Sequence, residues 1–165
     1  MKCVTNILEE SKLDFKPWGH GQFYACVDAA IAKDWGLEKL GFHVEKLSPG
    51  CFGCPYHTHL KEEELLIVLD GEATVRQDGE FFQVKKGDLV LFKIGVHHQL
   101  YNHTDKPFTF FMLSNKAADD TCLYPDSNKI AVGRKGTTQN GVEVDYWKDE
   151  EDPRSHWPAE VIRKS

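Results

Sequence analysis

His57-Thr-His59-Leu-Lys-Glu-Glu-Glu64-Leu-Leu-Ile-Val-Leu-Asp-Gly71 is the stretch on which the fold turns. Two histidines at i and i+2 of an extended segment project to the same side of a strand. A carboxylate follows at the start of an apolar run, which ends in Asp70-Gly71, a turn signal. Two imidazoles and a carboxylate converging from adjoining pieces of backbone suit a borderline divalent metal such as zinc, iron, manganese or nickel. The competing reading is a pair of surface histidines beside a solvated acidic loop, Lys61-Glu62-Glu63-Glu64, because charge runs are usually wet faces.

A second stretch bears on that choice. Gly87-Asp-Leu-Val-Leu-Phe-Lys-Ile-Gly95-Val-His-His98-Gln-Leu-Tyr-Asn102 supplies a third histidine at the end of another short strand. His97 and His98 are neighbours, so only one of them can point inward from a strand. His98 shares its face with Leu100 and Asn102, whereas His97 goes with Gln99, Tyr101 and His103, a set that suits a wet face; His98 is therefore the candidate ligand.

Together the two stretches resemble the paired motifs of the cupin superfamily. The first motif is a glycine, His-x-His, three or four residues, Glu, six residues and Gly; His57, His59, Glu64 and Gly71 fit it, while Gly50 stands one residue too far upstream. The second is a glycine, five residues, Pro-x-Gly, two residues, His, three residues and Asn. Gly87, Gly95, His98 and Asn102 fit it, and Lys93 takes the proline position. The resemblance covers roughly residues 50 to 102. Its gap to Gly71 selects Glu64 over Glu62 and Glu63. It implies an all-β, cupin-type double-stranded β-helix, a jelly-roll barrel, holding one divalent transition metal (Zn, Fe, Mn or Ni) on His57, His59, Glu64 and His98. It also implies a homodimer.

The surrounding sequence agrees with such a barrel. Leu40 to Leu47 alternates as a strand with one buried face. Short strands are expected at Glu64 to Leu69, Glu72 to Gln77, Glu80 to Val84, Leu89 to Phe92, His98 to Asn102 and Pro107 to Leu113. Asp78-Gly79 between two of them is a strong hairpin signal. Many short strands spaced by Gly, Pro, Asn and Asp indicate an antiparallel sandwich or barrel. With 165 residues the chain is expected to be one domain, 1–165. Its core spans about 40–115, with an N-terminal arm at 1–37 and a C-terminal extension at 116–165. Phe23 to Ile31 reads as a strand, although Asp28 to Lys33 equally suits a helical turn. The extension has no clear period, but aromatics as large as Trp147 and Trp157 need a surface to pack on, either the barrel's own exterior or a second subunit.

Composition is ordinary for a globular protein, with 41% hydrophobic and 28% charged residues and a net charge of −6. This balance argues against a nucleic-acid partner. No apolar run reaches the length of a membrane span, and the N-terminus lacks a signal-peptide core. Five scattered cysteines suit a reducing, cytoplasmic setting. Cys51-Phe-Gly-Cys54 raises a redox pair or a zinc half-site, but no second pair completes the latter, so a loop of reduced thiols is expected. Trp18, Trp35, Trp147 and Trp157 read as packing residues, and His20, His43 and His156 as surface or interface positions.

Three histidines and one carboxylate would leave an octahedral ion two open positions, for water, dioxygen or a bidentate oxygen ligand. Inward Phe82, Phe92 and Phe110 or Phe111 would make the pocket largely apolar, suiting a small organic acid, enol or phenol. The expected function is a metal-dependent enzyme on such a small molecule, with a dioxygenase-type oxidoreductase favoured. A non-catalytic small-molecule binding or sensor module is the alternative, as is a sugar isomerase, which would want more polar inward residues.

Overall fold

The computed structural model describes residues 3–133 and 135–162; residues 1, 2, 134 and 163–165 of the expected arm and extension lie outside the described residues. The expected strands form where alternation and turn residues place them. β1 (Lys16–His20), β2 (Tyr24–Ala29) and β3 (Leu40–Leu47) open the chain, with a single helical turn α1 (Ile31–Asp34) after β2. The short β4 (Thr58–His59) is followed by β5 (Glu64–Asp70), β6 (Glu72–Gln77), β7 (Glu80–Lys85), β8 (Leu89–Phe92), β9 (His98–Tyr101) and β10 (Phe108–Asn115). β11 (Thr121–Tyr124), β12 (Lys129–Val132), β13 (Thr137–Gln139) and β14 (Val142–Val144) lie in the extension.

One sheet runs in the order β1-β2-β3-β10-β5-β8, a second is β7-β6-β9, and a third is β14-β13-β12-β11-β4. All named pairings are antiparallel. Leu47, Leu66, Val68, Phe92, Phe108 and Phe110 of the first sheet meet Ala73, Val75, Val84 and Leu100 of the second in one apolar core. In β8 the alternation is plain: Val90 and Phe92 are buried, Leu89 and Leu91 exposed. This all-β architecture is the expected double-stranded β-helix, with an N-terminal arm and a C-terminal extension added to it.

Turn chemistry closes the barrel. Asp78 and Gly79 both take positive φ, 47° and 84°, as a two-residue type I′ hairpin requires. Gly71 also has positive φ, 82°, and a Cβ there would stand 2.8 Å from the Pro107 carbonyl oxygen, so no larger residue fits between β5 and β6. Asn102 is fully buried. Its Nδ2 donates to the carbonyls of Leu47 (3.0 Å) and Lys106 (2.8 Å), pinning the β9–β10 turn to β3.

The extension packs on the barrel's own exterior. β11 pairs with β4, setting Cys122 opposite His59 and Leu123 opposite Thr58. Arg76 of β6 forms a two-pronged pair with Asp126, at 2.5 and 3.1 Å. Trp157 is buried against Phe52, Phe81 and Tyr101, and its indole N–H donates to Gln99 Oε1 at 2.8 Å. Such an amphipathic ring needs both an apolar bed and a partner for its N–H. Among the described residues no helix is long and apolar enough to cross a membrane.

Candidate metal centre and its cavity

Backbone pairing sets up the site before any side chain does. His57 and His98 exchange main-chain hydrogen bonds, 3.2 Å from His57 N–H to the His98 carbonyl and 2.8 Å in return. Their rings consequently stand 4.5 Å apart. His59 lies two residues on, on the same face, and Glu64 begins β5. The structure brings all four sequence candidates together. His57 Nε2 is 3.2 Å from His59 Nε2, His98 Nε2 is 2.9 Å from Glu64 Oε2, and His59 Nε2 is 3.7 Å from the same oxygen. Donors about 2.1 Å from a shared ion stand roughly 3.0 Å (cis) to 4.2 Å (trans) apart in an octahedron and about 3.4 Å apart in a tetrahedron, so spacings of 2.9 to 3.7 Å can be drawn onto one ion.

The second nitrogen of each ring supports the same conclusion. His57 Nδ1–H donates to the Pro55 carbonyl at 2.9 Å and His98 Nδ1–H to the Val96 carbonyl at 3.2 Å. His59 Nδ1 faces Asp120 Oδ2 at 2.6 Å. Carbonyls and an ionised carboxylate accept only, so once an ion replaces the hydrogen bond from His98 Nε2 to Glu64, all three rings can carry their proton on Nδ1 and turn Nε2 inward. Partners of this kind fix the tautomer and orientation of metal-binding histidines. Phe92 stacks on His98 at 3.9 Å and 6°, further limiting the ring. Burial, then the neighbouring His98, push the His57 imidazole down to about 3, so it stays neutral and available. Burial opposes ionisation of Glu64, yet the hydrogen bond to His98 and the field of the imidazoles hold its carboxyl down at about 2. Three neutral imidazoles and one anionic oxygen fit a borderline divalent ion.

The residues left aside by sequence have other tasks. Glu62 is buried and accepts from the Ala117 N–H at 2.8 Å, anchoring the start of the extension. His97 turns outward to Asp78 at 3.3 Å. Cys51 and Cys54 are free thiols, and Cys54 Sγ lies 3.4 Å from His57 Nδ1. Asp120 escaped the sequence reading. It sits in the extension and reaches His59 only because β11 pairs with β4.

The centre opens into a cavity of about 240 Å³. Leu100, Phe110 and Met112 supply an apolar side, but Trp18, Asp28, His43, Glu45 and Gln99 line it as well. Phe82, expected inside, is 37% exposed on β7, and Phe111 is not among the lining residues. Asp28 and Glu45 are direct cross-strand neighbours on β2 and β3, a register that sequence periodicity did not reveal. The wall of the cavity is thus largely apolar, as expected, with the ionisable groups of Asp28, His43 and Glu45 set into it.

A barrel of this topology with an inward His-His-Glu-His cluster defines a class, and the comparisons identify it. Residues 43–114 match the family model described as Cupin domain, so this span of the chain is a cupin-superfamily domain. None of the curated proteins compared matches it. Among solved structures, it is similar to a sugar phosphate isomerase of the cupin superfamily from Silicibacter pomeroyi, at 20% identity and TM-score 0.72, over 84% of this chain and 96% of that one. A provisionally named sugar phosphate isomerase from Acidithiobacillus ferrooxidans shares 22% identity, TM-score 0.70, over 85% and 88% of the two chains. A provisionally named oxalate decarboxylase from Thermotoga maritima shares 19% identity, TM-score 0.58, over 68% and 100%. At these identities the likeness concerns the fold.

Proposed function

We propose that the chain is a metal-dependent enzyme acting on a small hydroxy-carbonyl compound, with aldose–ketose isomerisation as the reaction class. The observation that carries this reading is the composition of the 240 Å³ cavity: His57, Glu64 and His98 line it together with Asp28, His43 and Glu45, and His59 Nε2 stands 3.2 Å from His57 Nε2. A divalent ion held by His57, His59, Glu64 and His98 would act as a Lewis acid on a chelating oxygen pair. Asp120 keeps His59 in the coordinating tautomer. The apolar side excludes water around the reacting carbons, and the far carboxyls offer hydrogen bonds to hydroxyls. The names of the two neighbouring isomerases agree with this class.

A dioxygenase acting on an enol or phenol is the second reading, supported by the apolar side formed by Leu100, Phe110 and Met112. Both are tested together: protein reconstituted separately with Zn, Fe, Mn and Ni is offered aldoses, ketoses and enols, with interconversion and oxygen uptake followed in parallel. Interconversion abolished by a chelator is expected. Oxygen uptake instead would select the dioxygenase, and neither, with metal retained, would leave a binding module.

We further propose a homodimer in a reducing cytoplasm. Leu65, Ile67, Leu89, Leu91 and Leu113 lie on adjoining strands of the first sheet, with Leu89 64% and Leu91 47% exposed. An apolar sheet face of this kind suits an isologous contact. Light scattering of Leu91→Glu beside the parent protein checks it, a monomeric variant being the supporting result.

A further inference from the structure

We propose that Asp28, His43 and Glu45 form a hydroxyl-recognising subsite, which admits an uncharged polyol chain and turns away its phosphorylated counterpart. This rests on the reading above only in placing the substrate's reacting end at the metal.

The geometry is costly in the absence of a ligand. Asp28 and Glu45 stand directly opposite on adjacent antiparallel strands, where ionising both would set like charges against each other. The single oxygens Asp28 Oδ1 and Glu45 Oε1 are sealed from solvent with no hydrogen-bond partner, although the Asp28 side chain as a whole is 30% exposed and the Cys26 thiol bonds to the Glu45 carboxyl. Burial of an unsatisfied acceptor costs about 1–3 kcal/mol, so two of them invite an explanation. His43 shares their face, but its Nε2 lies 4.0 Å from Asp28 Oδ1, beyond hydrogen-bond reach. These side chains all line the cavity that contains His57, Glu64 and His98. Alternating hydroxyl groups would complete their hydrogen bonds, since each hydroxyl both donates and accepts.

Charge and size narrow the ligand. No lysine or arginine lines the cavity, so a phosphate dianion at the Asp28–Glu45 end, away from the metal ligands, would be stripped of water beside two carboxyl groups with only His43 to receive it. Lys16 and Lys33 lie in an adjoining surface depression, which shares Trp18 and Asp28 with the cavity and also holds Asp14 and Asp34; Lys16 is paired with Asp14 at 3.2 Å. Burial, then Asp28, push the Glu45 carboxyl up to about 8, and burial also raises Asp28. Glu45 therefore keeps its proton at neutral pH and can donate as well as accept. A cavity of about 150 Å³ takes benzene, so 240 Å³ has room for roughly ten non-hydrogen atoms by the same scale. Trp18 adds an aromatic surface at this end.

The test is calorimetric binding of linear polyols of three to six carbons, and of ribitol 5-phosphate beside ribitol, to the metal-reconstituted protein. At least one polyol should bind, and ribitol 5-phosphate should bind at least tenfold more weakly than ribitol or not at all. Glu45→Met and Asp28→Leu should each weaken polyol binding about tenfold while retaining full metal stoichiometry. Absence of polyol binding, equal or tighter binding of the phosphate, or unchanged affinity in both folded variants would each overturn the subsite. The wild-type comparison decides even if a variant does not fold. Polyol binding without aldose–ketose turnover would sink the isomerase and leave the subsite standing; turnover with both variants unimpaired would do the reverse.

Discussion

The two ends of the cavity carry the same residue types, histidine and carboxylate, and treat them oppositely. At the metal end every ring has a fixed acceptor on Nδ1, and Glu64 is held down at about 2 by its histidine neighbours despite burial. At the far end Glu45 faces another carboxyl and no cation, and burial lifts it to about 8. Sequence composition cannot separate these cases; the arrangement of partners does. Environments that push two carboxyls apart in one site commonly mark different chemical tasks. Here one is a permanent anion suited to an ion and the other a neutral hydrogen-bonding acid.

The sharpest way to break this comparison is to remove a histidine from each end. His57→Ala or His98→Ala should lower metal occupancy at least tenfold, measured by elemental analysis after dialysis against dilute metal. His43→Ala and the outward-facing His97→Ala should leave it unchanged. Metal loss in His43→Ala equal to that in His98→Ala would place the ion at the wrong end of the cavity.

The orienting residue should have the next largest effect. Asp120 Oδ1 accepts from the Lys61 N–H at 2.8 Å while Oδ2 faces His59 Nδ1. In Asp120→Asn the oxygen is retained by that N–H, so the amide NH₂ turns to His59. The ring must then accept on Nδ1 and carry its proton on Nε2, where it blocks coordination. Losses of 10–100-fold are typical for such partners, and about tenfold is expected here, read by competition with a chromogenic chelator. Unchanged affinity would mean that Asp120 serves only the β4–β11 junction.

Asp120 also shows what sequence could and could not disclose. The barrel strands were legible because one face of each is buried, as in Val90 and Phe92, and because Asp78-Gly79 can adopt the hairpin's positive φ. The four donors were legible because i, i+2 spacing and the intervals to Gly71 and Asn102 are local. Asp120 comes 61 residues after His59, from a segment with no period, and only sheet pairing brings it back. The Asp28–Glu45 pair was hidden for a related reason. Asp28 stands where strand and helical turn were equally compatible with the pattern, and cross-strand register is not a property of either strand alone. Phe82 went the other way: β7 puts it toward the exterior, where strand chemistry alone gave no sign of which face was solvated.

The smallest expected effect isolates the far end by pH. An unfolded chain releases the Glu45 proton near pH ~4.5, whereas the folded protein holds it to about 8. Between these values the native state binds more protons than the unfolded one, so stability falls as pH rises through the window. Asp28, itself raised by burial, acts in the same direction, and His43 opposes it when charged. The Cys26 thiol, also facing Glu45, is pushed above its ordinary range and stays neutral throughout. Glu45→Gln keeps the shape and has no proton to lose. It should match the parent near pH 5 and exceed it near pH 9 by about 1 kcal/mol, discounting the full shift for water admitted to the cavity. For a domain of this size that corresponds to a rise in Tm of about 3 °C, read from thermal melts at the two pH values. Equal melting differences at pH 5 and pH 9 would show that Glu45 is ionised in the native protein, and the contrast between the two ends of the cavity would disappear.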